Sequence, residues 1–165
     1  MRLKNKNIWC TVMIILIVAF DRITKYFAKL YLYGKGAMTF IKGVVEFVYA
    51  ENTGVAFSLF SGGRWFFIIL TAVAVIACLV YMFKGKGKNN LWLFWSLGVI
   101  VSGAIGNLID RIFLGYVIDF INPTFVNFAV FNIADCAVTL GAISLIAYLL
   151  VDIFKGEKKE KKNEQ

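Results

Sequence analysis

The sequence predicts an all-α membrane protein. Four transmembrane helices carry a small extracytoplasmic β-hairpin or cradle and an interfacial segment. Three observations predict this. The 165 residues are 60% hydrophobic, with a mean hydropathy of +0.75, far beyond a soluble domain. Four apolar runs, at about 8–30, 65–83, 91–109 and 133–154, approach or exceed the ~20 residues that span a bilayer core of about 30 Å. Finally, 11 of the 18 Lys and Arg fall at alternate ends of these runs.

The first run follows MRLKNKN, a basic start that looks like a signal peptide. No small-residue cleavage site follows; Asp21-Arg22 does, so an uncleaved span is expected. Asp21 and Lys25 are four apart, share a helix face and can pair. Residues 37–51, AMTFIKGVVEFVYAE, are rich in Val, Phe and Tyr around a Lys-Gly, which reads as a hairpin. Asn52-Thr53-Gly54 is a turn signal. VAFSLFSGGRW, which follows it, is amphipathic enough to lie in the interface.

The second and third runs are joined by a turn containing Lys84, Lys86 and Lys88. The third run is rich in small residues, Gly98, Ser102, Gly103 and Gly106, which lets a neighbouring helix approach closely. It leads into Asn107, Asp110 and Arg111, then YVIDFI, an alternating segment that would hold Asp119 on a strand. The fourth run opens with Asn132 and Asp135, spaced as an Asn/Asp version of a capping box. One domain, 1–154, is expected. The Lys/Glu-rich tail, 155–165, is expected to be solvated, cytoplasmic and disordered.

Arg2, Lys4 and Lys6, the lysine turn, and the five lysines after the last run all lie on one side. By the positive-inside rule that side is cytoplasmic, and both termini are inside. The formal charge of +8 is therefore read as topology, and no nucleic-acid partner is expected. There is no histidine, which excludes His-based triads and His-ligated metals. The three cysteines, Cys10, Cys78 and Cys136, lie in or beside apolar runs and form no CxxC pair; they read as small buried hydrophobes. No metal site and no cofactor are expected.

Asp21, Glu46, Glu51, Asp110, Asp119 and Asp135 all fall on the outer half. Ionisable groups at membrane depth are costly and are functional candidates by default. Asp119 and Asp135 are joined by a short connection, so they should lie close together. Two adjacent carboxylates with no histidine suggest aspartic chemistry, with one proton shared by the pair. Helix capping and cation binding remain open readings of the same residues. So do a small ion or lipid carrier using the outer carboxylates, and a metal-dependent lipid-head-group enzyme.

Five motifs occur in order: DRITK (21–25), NTGVAF (52–57), GAIGNLIDR (103–111), VIDF (117–120) and FNIAD (131–135). With them the chain resembles the lipoprotein signal peptidase (signal peptidase II) family of bacterial membrane aspartic proteases. The resemblance implies that Asp119 and Asp135 are the catalytic dyad. The family's other motif residues map onto Asp21 and Lys25; Asn52, Gly54 and Ala56; Gly106, Asn107, Asp110 and Arg111; and Phe120, Asn132 and Ala134. It implies a substrate, prolipoproteins cut before a diacylglyceryl-modified cysteine, and inhibition by globomycin-type peptides. A monomer among membrane lipid is expected, in the bacterial cytoplasmic membrane, with its active site near the extracytoplasmic face. Many members carry Gln where this chain has Arg22.

Overall fold

The computed structural model describes residues 5–54, 64–85 and 90–163, with side chains as far as 155. Its order is α1 (Lys6–Leu32), β1 (Met38–Ile41), β2 (Val45–Asn52), α2 (Arg64–Phe83), α3 (Leu91–Phe113), β3 (Val117–Pro123) and α4 (Ile133–Asn163). All four helices are long and apolar enough to cross a membrane. Most of the interfacial segment expected over 55–65 lies outside the described residues, as does the centre of the lysine turn.

The third helix is the hub. Half of its apolar window is buried, against 11% for each of the other three, and it packs on α1, α2 and α4. Small residues permit this. A Cβ on Gly103 would stand 2.2 Å from the Ala134 carbonyl oxygen, and one on Gly106 would stand 2.7 Å from Asp21 Oδ2. Toward the end of the bundle away from the sheet, Cys10, Val75, Met82, Phe94, Leu97 and Val101 form an apolar core. Cys10 is fully buried there, and Cys78 and Cys136 are half-buried.

The expected hairpin is present, β1 pairing antiparallel with β2. The segment around Asp119 joins it, giving a three-stranded sheet of order β1-β2-β3. A register shift between Phe47 and Ala50 precedes the pairing of Ala50 with Asp119. A second apolar cluster, Ala28, Leu32, Ile118 and Phe120, backed by Phe47, seats the sheet on the end of α1.

Two boundaries differ from the sequence reading. Asp110 does not end the third helix, which continues to Phe113, so Asp110 is inside the protein rather than at its rim. The tail does not break away at 155 but continues α4 to Asn163. Lys and Glu are good helix formers, and a helix already nucleated by the span is cheap to extend.

Candidate active site

The head of α4 is built by its own sequence. Asn132 Oδ1 accepts the Asp135 N–H at 3.0 Å, and Asp135 Oδ2 accepts the Asn132 N–H at 3.1 Å. This reciprocal pair satisfies donors that a helix start leaves open. Each residue then uses its remaining groups outside the helix. Asn107 Nδ2 donates to Asp135 Oδ1 at 2.7 Å. Asn132 Nδ2 donates to Asp119 Oδ1 at 2.6 Å and to Asn107 Oδ1 at 3.1 Å. From β2, Asn52 Nδ2 donates to the other oxygen of Asp119 at 2.9 Å, while Asn52 Oδ1 accepts the Gly54 N–H at 2.8 Å. Gly54 has φ +78°, a left-handed conformation that suits glycine. The turn and the carboxylate contact are thus one device.

Beneath these amides lies a buried ionic layer. The Lys25 ammonium, fully buried, sits 2.9 Å from Asp21 Oδ2, Asp110 Oδ2 and Asn107 Oδ1. Arg22 pairs with the other oxygen of Asp110. The two acids reach the backbone as well: Asp21 Oδ1 accepts the Ala134 N–H at 3.0 Å, and Asp110 Oδ2 accepts the Ile118 N–H at 3.3 Å. Buried charge is tolerated when it is paired, as each of these groups is.

Asp119 lies on β3, 2% exposed. Burial pushes its carboxyl up to about 6 from an ordinary 3.8, and the charge of Asp135 adds to the rise. The Asn52 and Asn132 amides and the Lys25 charge pull the other way. This carboxyl changes protonation near neutral pH because desolvation outweighs its donors.

Arg111 feels the charges of Asp135, Asp119 and Asp110. It forms no ion pair within 4.0 Å among the described residues, and its guanidinium lies 5.7 Å from the Phe67 ring centre. Arg64 donates to the Arg111 and Ile112 carbonyls at 2.9 and 2.6 Å, tying α2 to the end of α3. A cleft of about 570 Å³ runs from Asn52 and Asp135 past Phe131 and Cys136 to Thr139 and Leu140. A second, of about 350 Å³, reaches Asp119 beside Glu51, Asn52 and Val130. No group of three or more His, Cys, Asp or Glu residues suited to a metal occurs among the described residues.

The structure therefore brings together Asp21, Lys25, Asn52, Asn107, Asp110, Asp119, Asn132 and Asp135, with Gly54 and Arg111 at the edge. The sequence reading left Arg22 without a role and did not single out Arg64. An arginine beside a cluster of acids was the available signal for the first. For the second it was a cation able to reach carbonyls at a helix C-terminus.

The family model described as "Signal peptidase (SPase) II" matches residues 13–151. The chain belongs to the signal peptidase II family. Similar to this family member are the lipoprotein signal peptidases of Streptococcus pyogenes serotype M5 (strain Manfredo) and serotype M18 (strain MGAS8232). Each is 40% identical over 136 residues, covering 82% of this chain and 89% of the relative. Two solved chains, each titled a bacterial membrane enzyme structure by the in meso method, share the fold. The one at 2.3 Å resolution has a TM-score of 0.78 at 31% identity, over 87% of this chain and 88% of its own. The one at 1.9 Å has a TM-score of 0.80 at 31% identity, over 86% and 92%. Signal peptidase II membership makes the chain a peptidase, and its four apolar helices make it a multi-pass membrane protein.

Proposed function

We propose that this signal peptidase II is an aspartic endopeptidase that cuts prolipoproteins just before a diacylglyceryl-modified cysteine. The observation that carries the reading is the joining of Asp119 and Asp135 through one residue, Asn132, whose side-chain amide holds Asp119 and whose backbone N–H holds Asp135, with a cleft leading from Asp135 along α4. A lipid tail lying along that helix places the adjoining peptide at the acids, so remote binding energy positions the scissile bond.

The pair holds one proton between its two carboxyls. Asp119, whose neutral form burial favours, donates to the carbonyl oxygen. Asp135 takes a proton from water as the water oxygen bonds to the carbonyl carbon. The resulting gem-diol collapses: the C–N bond breaks, Asp135 returns its proton to the amine nitrogen, and Asp119 recovers one from a hydroxyl. No covalent enzyme intermediate forms. The three asparagines hold both acids, and in this reading Arg111, at the edge of the charge cluster, binds a substrate carbonyl.

The protein acts as a monomer in the bacterial cytoplasmic membrane, with both termini cytoplasmic and the acids near the outer face. Globomycin-type peptides occupy the same cleft. The test is incubation of purified protein with a diacylglyceryl-modified prolipoprotein, followed by mass measurement of the products. Cleavage before the lipidated cysteine is expected. Asp119→Asn and Asp135→Asn should each lose on the order of 10²–10⁴-fold in rate. Equal cutting of lipidated and unlipidated forms, or substantial activity in either variant, would sink the reading.

A further inference from the structure

The charged layer beneath the acid pair contains a cation that the proposed reaction does not use. Arg22 is 35% exposed, yet its guanidinium reaches a fully buried partner, Asp110. Asp110 is not idle packing. It also holds Lys25 and the backbone N–H of Ile118, the residue before Asp119. Lys25 in turn grips Asn107, whose amide donates to Asp135. One arginine thus abuts a relay with a branch to each acid.

We propose that Arg22 is a positioning residue for Asp119 and Asp135, acting through Asp110 to keep the charged cluster balanced around a pair that holds a single proton. This rests on the aspartic reading above. The charged groups around the pair are Asp21, Arg22 and Lys25 from α1, Arg64 from α2, Asp110 and Arg111 from α3, and Glu51 from β2. Glu51 is exposed and takes a hydrogen bond from the Tyr49 hydroxyl at 3.1 Å, so solvent screens it. Within the buried layer, the two cations Arg22 and Lys25 pair with the two carboxylates Asp21 and Asp110. Without Arg22 the cluster carries one negative charge too many. Asp110 then competes for Lys25 alone, and the shared proton is held more tightly by Asp119 and Asp135.

The consequence is a displacement of the pH response. Replacing Arg22 by Gln removes one positive charge from the cluster beside the pair, so both limbs of the rate profile move up, by about half to one pH unit at an effective dielectric of about 20. Arg22→Lys keeps the charge and restores the wild-type limbs. A loss caused only by looser packing lowers the rate at every pH and moves neither limb.

The experiment has two readouts on detergent-purified protein whose unfolding temperature is recorded. The first is the pH profile of cleavage of a lipidated prolipoprotein by wild type, R22Q and R22K. The second follows the Asp119 carboxyl by infrared difference spectroscopy across pH, assigned by its disappearance in D119N. Upward shifts in R22Q, reversed in R22K, are expected in both. Unshifted limbs in R22Q, or R22K behaving as R22Q does, overturn the proposal. If the wild type cleaves nothing, the aspartic reading fails by itself, and the infrared titration still decides the role of Arg22. If R22Q does not fold, R22M takes its place as the neutral variant: limbs displaced upward in R22M and restored in R22K uphold the proposal, and unmoved limbs in R22M overturn it.

Discussion

Asn132 and Asp135 cap one another at the head of α4 while each holds a second partner in the acid cluster. A helix cap and a functional carboxylate are usually rival explanations for an acid at a helix start. Here the cap aims the acid: the Asn132 N–H fixes one oxygen of Asp135, and Asn107 fixes the other. Replacing Asn132 by Ala should cost about 1 kcal/mol of stability from the cap. It should also cost cleavage, because Asp119 loses its shortest donor. Denaturant melts in detergent alongside turnover would check both. A stability loss with turnover intact would confine Asn132 to capping.

The elevated Asp119 carboxyl has a stability consequence of definite sign. Its folded value, about 6, lies above the ordinary 3.8. The stabilisation from its proton is therefore fully present below about pH 4 and is lost as pH rises through 6. The stability difference between wild type and Asp119→Asn should shift against the wild type by on the order of 1–3 kcal/mol between pH 4 and pH 7. The pH dependence is the readout, because an amide facing the Asn52 and Asn132 donors has its own fixed cost. A flat difference across that range would show that the carboxyl is not raised.

Lys25 is the cation common to Asp21 and Asp110, and it is fully buried. Lys25→Met keeps the length of the side chain and strands two carboxylates, one of which retains Arg22. Breaking a buried pair from one side costs about 3–5 kcal/mol, and a large fall in folded yield or melting temperature is expected. A variant as stable as wild type would mean that water reaches this layer.

Gly103 is tested by a methyl group. Its Cβ would fall on the backbone oxygen of Ala134, which cannot move aside without moving the head of α4. Gly103→Ala should destabilise by about 1–3 kcal/mol and lower turnover. Gly36→Ala, where nothing lies within 4 Å of the added Cβ, should do neither. Equal behaviour of the two variants would refute the tight α3–α4 contact.

Orientation is tested by labelling. Single cysteines at Met38 and Gly87 should react with an impermeant reagent from opposite sides, Met38→Cys from outside. Reaction of both in intact cells would reverse or break the proposed topology.

Much of this was legible in the sequence because the membrane imposes strong patterns. Apolar length marked the spans, and alternation around Asp119 marked β3. The i, i+4 spacing of Asp21 and Lys25 and the capping-box spacing of Asn132 and Asp135 both hold in the structure. What could not be read was convergence between distant segments. Nothing local says that β3 completes the sheet of an earlier hairpin, or that Asp21 bonds the backbone at Ala134. Asp110 lies just past the third apolar run as read from the sequence, 91–109, so nothing local placed it inside the protein. Its burial comes from Lys25 and Arg22 on another helix. The helical extent of the tail, to Asn163, was not read because charge density was weighed above helix propensity.

The hydrogen bond from the Ala134 N–H to Asp21 spans 113 residues, from the last transmembrane helix to the first. A ribosome delivers α1 early and α4 last, so Asp21, Lys25 and Asp110 must wait in the membrane with their ring of partners open. They are completed only when the final span arrives. A chain interrupted before that point carries Asp119 but neither Asp135 nor the amide that joins them. On the aspartic reading such an unfinished copy lacks one of its two acids, and its Asp21 lacks the backbone partner that α4 supplies.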